Sequence, residues 1–415
     1  MNSESKSREK IEQLMERGVD IVSPATIDIG EEVSVDQISA HGVKIYPGCR
    51  IYGHRTVISA GCRLGYEAPL TIEDCQLGSK VELKGGFVSK SVFLEKANMG
   101  MGAHVREGCI LEEEAGGAHC VGLKQTILFP FVTLGSLINF CDCLMAGGTS
   151  RSNHSEVGSS YIHFNFTPAA DKTTPSLIGD VPRGVMLNQP PIFLGGQGGI
   201  IGPVRLGYGN VVAAGSVLRH DYPQDNQLIF EKAPANGVKD YEPAAYPGII
   251  RIVENNILYL ANLTALESWY MHVRKPFLEV REYGHLLYGG VMDQLTAAKK
   301  ERLKRLKAMA EKAAGPPADD RYAVIRREFS GQIGSLEKLF TGKIPEVSSS
   351  TDKMREIFLA DFAKFAGDKK ADYVSVIQSL PVAVSSKGVA WLSGMVNAVR
   401  EKVVQFMPSA GLFEK

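Results

Sequence analysis

The stretch LGGQGGIIGPVRLGYGNVVAAGSVL, Leu194 to Leu218, decides the fold. In it Leu194, Ile200, Leu206, Val212 and Leu218 follow one another at intervals of six residues. An amphipathic helix spaces its apolar residues by three and four, so this period excludes one. Six is even, so a strand keeps such residues on one face. A hairpin sheet has no reason to restart every six residues, whereas a chain that turns a corner after each short strand does. Glycine follows the aliphatic residue in Leu64-Gly65, Leu77-Gly78 and Leu206-Gly207, where the backbone must bend tightly.

The same period extends toward the N-terminus. Phe87, Phe93, Met99, Val105 and Leu111 form a second run, and Ile45, Ile51 and Val57 a third that slips by one into Ile58 and Leu64. Cys49, Cys62 and Cys109 each follow an aliphatic repeat position by four, as small inward residues at crowded corners would. From about Ile27 to Asp221 the pattern predicts roughly ten coils of a parallel β-helix. Two polar segments interrupt it, AGGTSRSNHSE at 146–156 and FTPAADKTTPS at 166–176, and both read as projecting loops.

The predicted organisation is therefore a leading helix and cap over 1–24, a β-helix over 25–225, a linker over 226–248 and an all-α region over 249–415. The cap covers strand edges that an open coil would expose. Helical spacing is loose over Ile250 to Val273. It continues in a proline-free helix from Leu286 to Ala314, which Gly315-Pro316-Pro317 ends. Further helices are predicted over Arg321–Phe340, Thr351–Ala366, with Ser350 or Thr351 as N-cap, Ala371–Leu380 and Val389–Phe406. The basic residues from Lys299 to Lys312 read as a solvated helix face, and the helical half carries no motif that assigns chemistry.

The 415 residues carry a formal net charge of zero, which gives no global attraction to nucleic acid. No apolar h-region opens the chain and no run of 18 apolar residues occurs, so neither a signal peptide nor a membrane span is expected. The seven cysteines are odd in number and include a C-x-C pair, Cys141 and Cys143. They read as reduced thiols of a cytoplasmic protein, with no metal site.

The repeats resemble the hexapeptide-repeat family, whose members are mostly trimeric acyltransferases with triangular, left-handed β-helices. Three stretches resemble its branch formed by the acetyltransferase domain of the bifunctional enzyme that makes UDP-N-acetylglucosamine. They are AHVREGCILEEEAGGAHCVGLKQT (Ala103 to Thr126), NFTPAADKTTPSLIGD (Asn165 to Asp180) and IGPVRLGYGNVVAAGSVLRHD (Ile201 to Asp221). The resemblance implies that Arg106 and Lys124 hold a sugar phosphate, joined by Lys172, while Asn165 orients the sugar or acyl group. It implies that the backbone of Ala213, Ala214 and Gly215 lies against acetyl-CoA or another acyl-CoA. It also implies a homotrimer with the site between adjacent coils. Where the branch carries its catalytic histidine, Val132 to Asn139 has Ser136 and Asn139 instead. His154 in the polar insertion is the candidate base; His163 and, on an earlier coil, His119 are the other histidines nearby. The segment before Ile27 is too short for the branch's nucleotide-transfer domain, so sugar nucleotidyltransfer, a third reading, would require a catalytic domain elsewhere, such as on a partner chain. The expected function is a sugar-phosphate or sugar-nucleotide acyltransferase; the alternative is a non-catalytic sugar-nucleotide-binding or scaffold protein.

Overall fold

The computed structural model describes residues 3–238, 240–241, 244–314, 322–341, 349–367 and 372–414. The predicted stop at 315–317 and the residues Arg321 and Ala371 lie outside them. Helix α1 (Ser3–Glu16) precedes a parallel β-solenoid. The first face of the solenoid is an 11-stranded sheet running from Asp20–Ile21 to Leu228–Ile229. These outermost rungs lie beyond the predicted limits of 25 and 225, because Ile21 and Ile229 still complete the buried inner column.

The second and third faces belong to one sheet. They are joined where the seven-residue strands Gly122–Leu128 and Asn139–Met145 run through the corner between them. The chain bends there at Asp74, Lys90, Gly108, Gln125 and Asp142, one per coil, all with positive φ. Gly108 is the one glycine among these five, and a Cβ on it would lie 2.4 Å from the Gln125 amide of the next coil.

The inner column matches the period-six reading from Leu194 to Leu218, all five residues being buried. Phe87 departs from it. Val88 takes the inner position with no exposure, and Phe87 faces outward against the His104 ring. The reason is a short coil. Leu83 pairs with Met99 on the next coil and Met99 with Gly117 on the one after, and the first of these two intervals is the shorter. Cys49, Cys62 and Cys109 are buried, as their spacing predicts.

Helix α1 caps the first coil: Ile11 and Leu14 are buried there, and the Ile29 amide donates to Ser7 Oγ at 2.9 Å. The segment at 146–156 leaves the coil as a hairpin, in which Gly148–Ser150 pairs antiparallel with Asn153–His154. A short helix α2 (Val181–Gly184), N-capped by Asp180, leads toward the late coils.

The chain then forms α3 (Ile249–Trp269), a π turn (Tyr270–Arg274), α4 (Lys275–Glu279) and α5 (Gly284–Ala313). It continues through α6 (Ala323–Thr341), α7 (Ser349–Ala366), α8 (Tyr373–Gln378) and α9 (Val382–Phe406). The last helix starts at Val382, ahead of the predicted Val389, since Pro381 sits at its N-cap.

These helices share a hydrophobic core with the solenoid. Helix α5 lies against third-face strands such as Ser91–Phe93 and Cys109–Leu111. The outward residues of that face, Val92, Ile110, Ile127, Leu144 and Leu177, are consequently as buried as the inward ones. Each such side chain contributes about 1.5–3 kcal/mol of burial.

The basic segment of α5 is only partly solvated. Lys299 is buried with Glu267 at 2.6 Å, and Arg302 is buried with Asp142 at 2.6 Å, while Lys300, Lys304 and Lys307 face water. The reading of a solvated face therefore fails at the two positions turned toward α3 and the solenoid corner.

Candidate functional site

With the third face covered, the second face carries the residues that point to a site. Its outward column runs Phe87, His104, Gly122, Asn139, Ile162, Gly199. Arg106 lies one residue beyond the Val105–Leu123 pair, which sets it level with Lys124 on the next coil, and Lys124 pairs in register with Cys141. Two cations thus stand one rung apart, about 4.8 Å, at the trailing edge of this face. Lys124 Nζ is 2.7 Å from Glu107 Oε1. Burial pushes the Glu107 carboxyl up, but the Lys124 hydrogen bond, a backbone amide and the charges of Lys124 and Arg106 outweigh it and hold it below its ordinary value.

The loop after Phe164 leaves from the same edge. Asn165 is exposed and accepts from the Thr174 hydroxyl, which closes the loop on itself. Lys172 is exposed, its amide donates to Thr167 Oγ1 at 3.2 Å and its carbonyl accepts from Arg302 at 3.2 Å. Arg106, Lys124, Asn165 and Lys172 therefore share one corner of the solenoid. His163 points inward instead: it is buried against Ser176 Oγ at 2.8 Å, and burial, with the Arg302 charge, drives its pKa down to about 3.

The leading edge of the same face is a column of small residues. His119 and Ser136 share a hydrogen bond of 2.8 Å between Nδ1 and Oγ. The Ser136 amide donates to Ser159 Oγ at 3.1 Å, the Gln197 amide to Ser159 O at 2.9 Å, and the Gly215 amide to Gly196 O at 3.0 Å. Ala213, Ala214 and Gly215 thus end a column that begins at His119. The amides of Ala213 and Gly215 are engaged within the solenoid. Packing is close: a Cβ on Gly195 would lie 2.4 Å from the Ala214 nitrogen. Sequence reasoning does not single out the His119–Ser136 pair. The two stand on neighbouring coils, and only the lengths of those coils carry the signal.

His154 lies elsewhere. The hairpin that bears it fills the corner between the third and first faces, its Nδ1 is 2.8 Å from Arg151 O, and its Nε2 is 3.7 Å from Glu156. Arg151 in turn reaches Glu114 O and Thr133 Oγ1 on the first face. This chain does not bring His154 to the edge that holds Arg106, Lys124 and Asn165. The hairpin register decides this, since it hands the chain to the strand Glu156–Val157 of the first face.

Among the described residues, no group of three or more His, Cys, Asp and Glu side chains could hold a metal ion, and no helix is long and apolar enough to cross a membrane.

No family model matches the chain. Over 217 residues, 52% of the chain, it is 29% identical to the bifunctional protein GlmU of Thermotoga petrophila. Over 229 residues, 55% of the chain, it is 28% identical to the bifunctional protein GlmU of Carboxydothermus hydrogenoformans. The GlmU of Fervidobacterium nodosum is 29% identical over 215 residues. The chain spans less than half the length of these relatives, 42%, 46% and 42% respectively. The likeness and the parallel solenoid together fit a hexapeptide-repeat domain related to GlmU.

Proposed function

We propose that this relative of GlmU transfers an acyl group, from acetyl-CoA or another acyl-CoA, to the amine of a sugar phosphate or sugar nucleotide, in the chemistry of UDP-N-acetylglucosamine formation. The observation that carries this reading is the pair of cations, Arg106 and Lys124, on successive coils at the edge of an uncovered face. A phosphate needs such cations, and the arginine fork binds two of its oxygens at once. Asn165 and Lys172 flank the same edge and would orient the sugar. The corner at Ala213–Gly215 would lie along the acyl carrier. A cytoplasmic homotrimer whose solenoids meet over the second face belongs to the same proposal.

Ser136, in place of a histidine, favours a second reading: a binding protein without turnover. Thermal-shift titration with acetyl-CoA, UDP-N-acetylglucosamine and glucosamine-1-phosphate, paired with a thiol-release assay, separates the two. Stabilisation together with thiol release supports transfer, and stabilisation alone supports the binding protein. Replacement R106A is expected to weaken glucosamine-1-phosphate binding by about 10–100-fold, the loss of one charge-assisted contact or two. Absence of any shift would remove both readings.

A further inference from the structure

We infer that His119 is the proton acceptor at this site and that Ser136 is its positioning residue; the inference rests on the acyl-transfer reading above. Three features of the geometry carry it. First, His119 is exposed at the leading edge of the second face, and its Nδ1 is held 2.8 Å from Ser136 Oγ. Donation of Nδ1–H to that hydroxyl leaves the lone pair on Nε2, the tautomer a base requires.

Second, the floor between His119 and Lys124 is clear. The outward position on that strand is Gly122, and a Cβ there would meet only the Asn139 side chain and Ile138 O, at 3.7 and 3.9 Å. Five residues span at most ~17 Å; His119 stands at the corner between the first and second faces, where it also borders a first-face groove with Thr133 and Arg151. In the proposed arrangement an amine on a phosphate-bearing ring anchored at Arg106 and Lys124 faces the imidazole across this open floor.

Third, the hydrogen-bonded column through Ser159 and Gly196 leads from Ser136 to the Ala213–Gly215 corner. That distance is three rungs, about 14 Å. An acyl carrier laid along it delivers its thioester end beside His119.

The other histidines on these faces are placed differently. His163 is buried and neutral, His154 sits at the opposite corner, the His104 ring packs edge-to-face on Phe87 at 5.4 Å, His220 Nδ1 is 3.0 Å from Glu231 Oε1, and His54 stands beside Asp74 toward the first coils. The step balances without further reagents. The amine nitrogen attacks the thioester carbonyl carbon, the C–N bond forms and the C–S bond breaks. The nitrogen's proton passes to His119 Nε2 and then to the departing thiolate, which leaves as the free thiol.

The test compares wild type with H119Q, S136A, H104Q and H154Q, using thiol release from acetyl-CoA with glucosamine-1-phosphate and calorimetric binding of each. H119Q is expected to lower kcat by about 10²–10⁴-fold, leave the glucosamine-1-phosphate Kd within about twofold, and abolish the acidic limb of the pH–kcat profile. S136A is expected to keep that limb and displace it, with kcat reduced about tenfold. A structural role alone would move neither limb. Binding and turnover in H119Q within threefold of wild type, or loss of turnover in H104Q or H154Q instead, overturns the assignment and leaves acyl transfer standing. Wild-type protein that neither binds nor turns over removes the acyl-transfer reading, and this assignment with it.

Discussion

The second and third faces of the solenoid belong to one sheet, yet they meet opposite environments. On the third face the outward residues Val92, Ile110, Ile127, Leu144 and Leu177 lie beneath the helices. On the second the outward residues include His104, Gly122 and Asn139, and nothing among the described residues covers them. A parallel sheet buried on both sides reads as continuously apolar, whereas one open on a side alternates. The difference shows that the helical region converts a three-faced prism into a scaffold with a designated free face. Polar groups on that face remain available to a ligand, because none is consumed in holding the helices. Where charges do cross to the helices, as in Arg302–Asp142 and Arg274–Glu113, they are buried and paired.

The sharpest way to break this comparison is a carboxylate placed at matching positions on the two faces. I110D is expected to prevent soluble folding or to cost more than about 4 kcal/mol, since it buries an unpaired charge between solenoid and helix. N139D on the open face is expected to change stability by under about 0.5 kcal/mol. Urea denaturation reads both; equal costs would mean that the third face is not covered in solution.

Next in size is the removal of one cation from each setting. R302M strands Asp142 in a buried corner and is expected to cost about 3–5 kcal/mol. K124M breaks a half-exposed pair with Glu107 and is expected to cost less than about 1 kcal/mol, while still impairing phosphate binding.

The smallest test concerns the inside of the second face. The folded protein holds His163 neutral down to about pH 3, whereas its ordinary pKa is 6.5. Its contribution to stability is complete above pH 6.5 and is lost as pH falls, by about 1.4 kcal/mol per pH unit below that point. Comparison of wild type and H163N by denaturation between pH 7 and 5 is expected to show this slope in the wild type and its loss in the variant. Glu112, which burial drives up to about 7, acts in the opposite direction and is common to both proteins, so it cancels in the comparison.

Much of this molecule is legible without coordinates. The inner column from Leu194 to Leu218 is readable because only aliphatic side chains fit a narrow prism interior, and each strand contributes one at a fixed interval. Phe87 misleads because the coil from Leu83 to Met99 is shorter than the next, so a rigid period of six slips onto the outer surface. The apolar outward residues of the third face are visible in the sequence, but without coil register they cannot be told from inner ones. The site follows the same division. Arg106 and Lys124 are paired by a spacing of one full coil, and the structure sets them level. His119 and Ser136 are one short coil apart, and their hydrogen bond depends on which coil is short.

The sequence alone determined that the chain winds into coils and that helices follow. Those outcomes depend on local periodicity, which every coil repeats. The tertiary structure decided which face the helices cover, which edge holds the cations, and which histidine stands opposite them. Those outcomes depend on register and on long-range docking, where Arg302 meets Asp142, 160 residues away along the chain. A one-residue change in coil length moves a side chain from interior to solvent without altering the repeat that announces the fold.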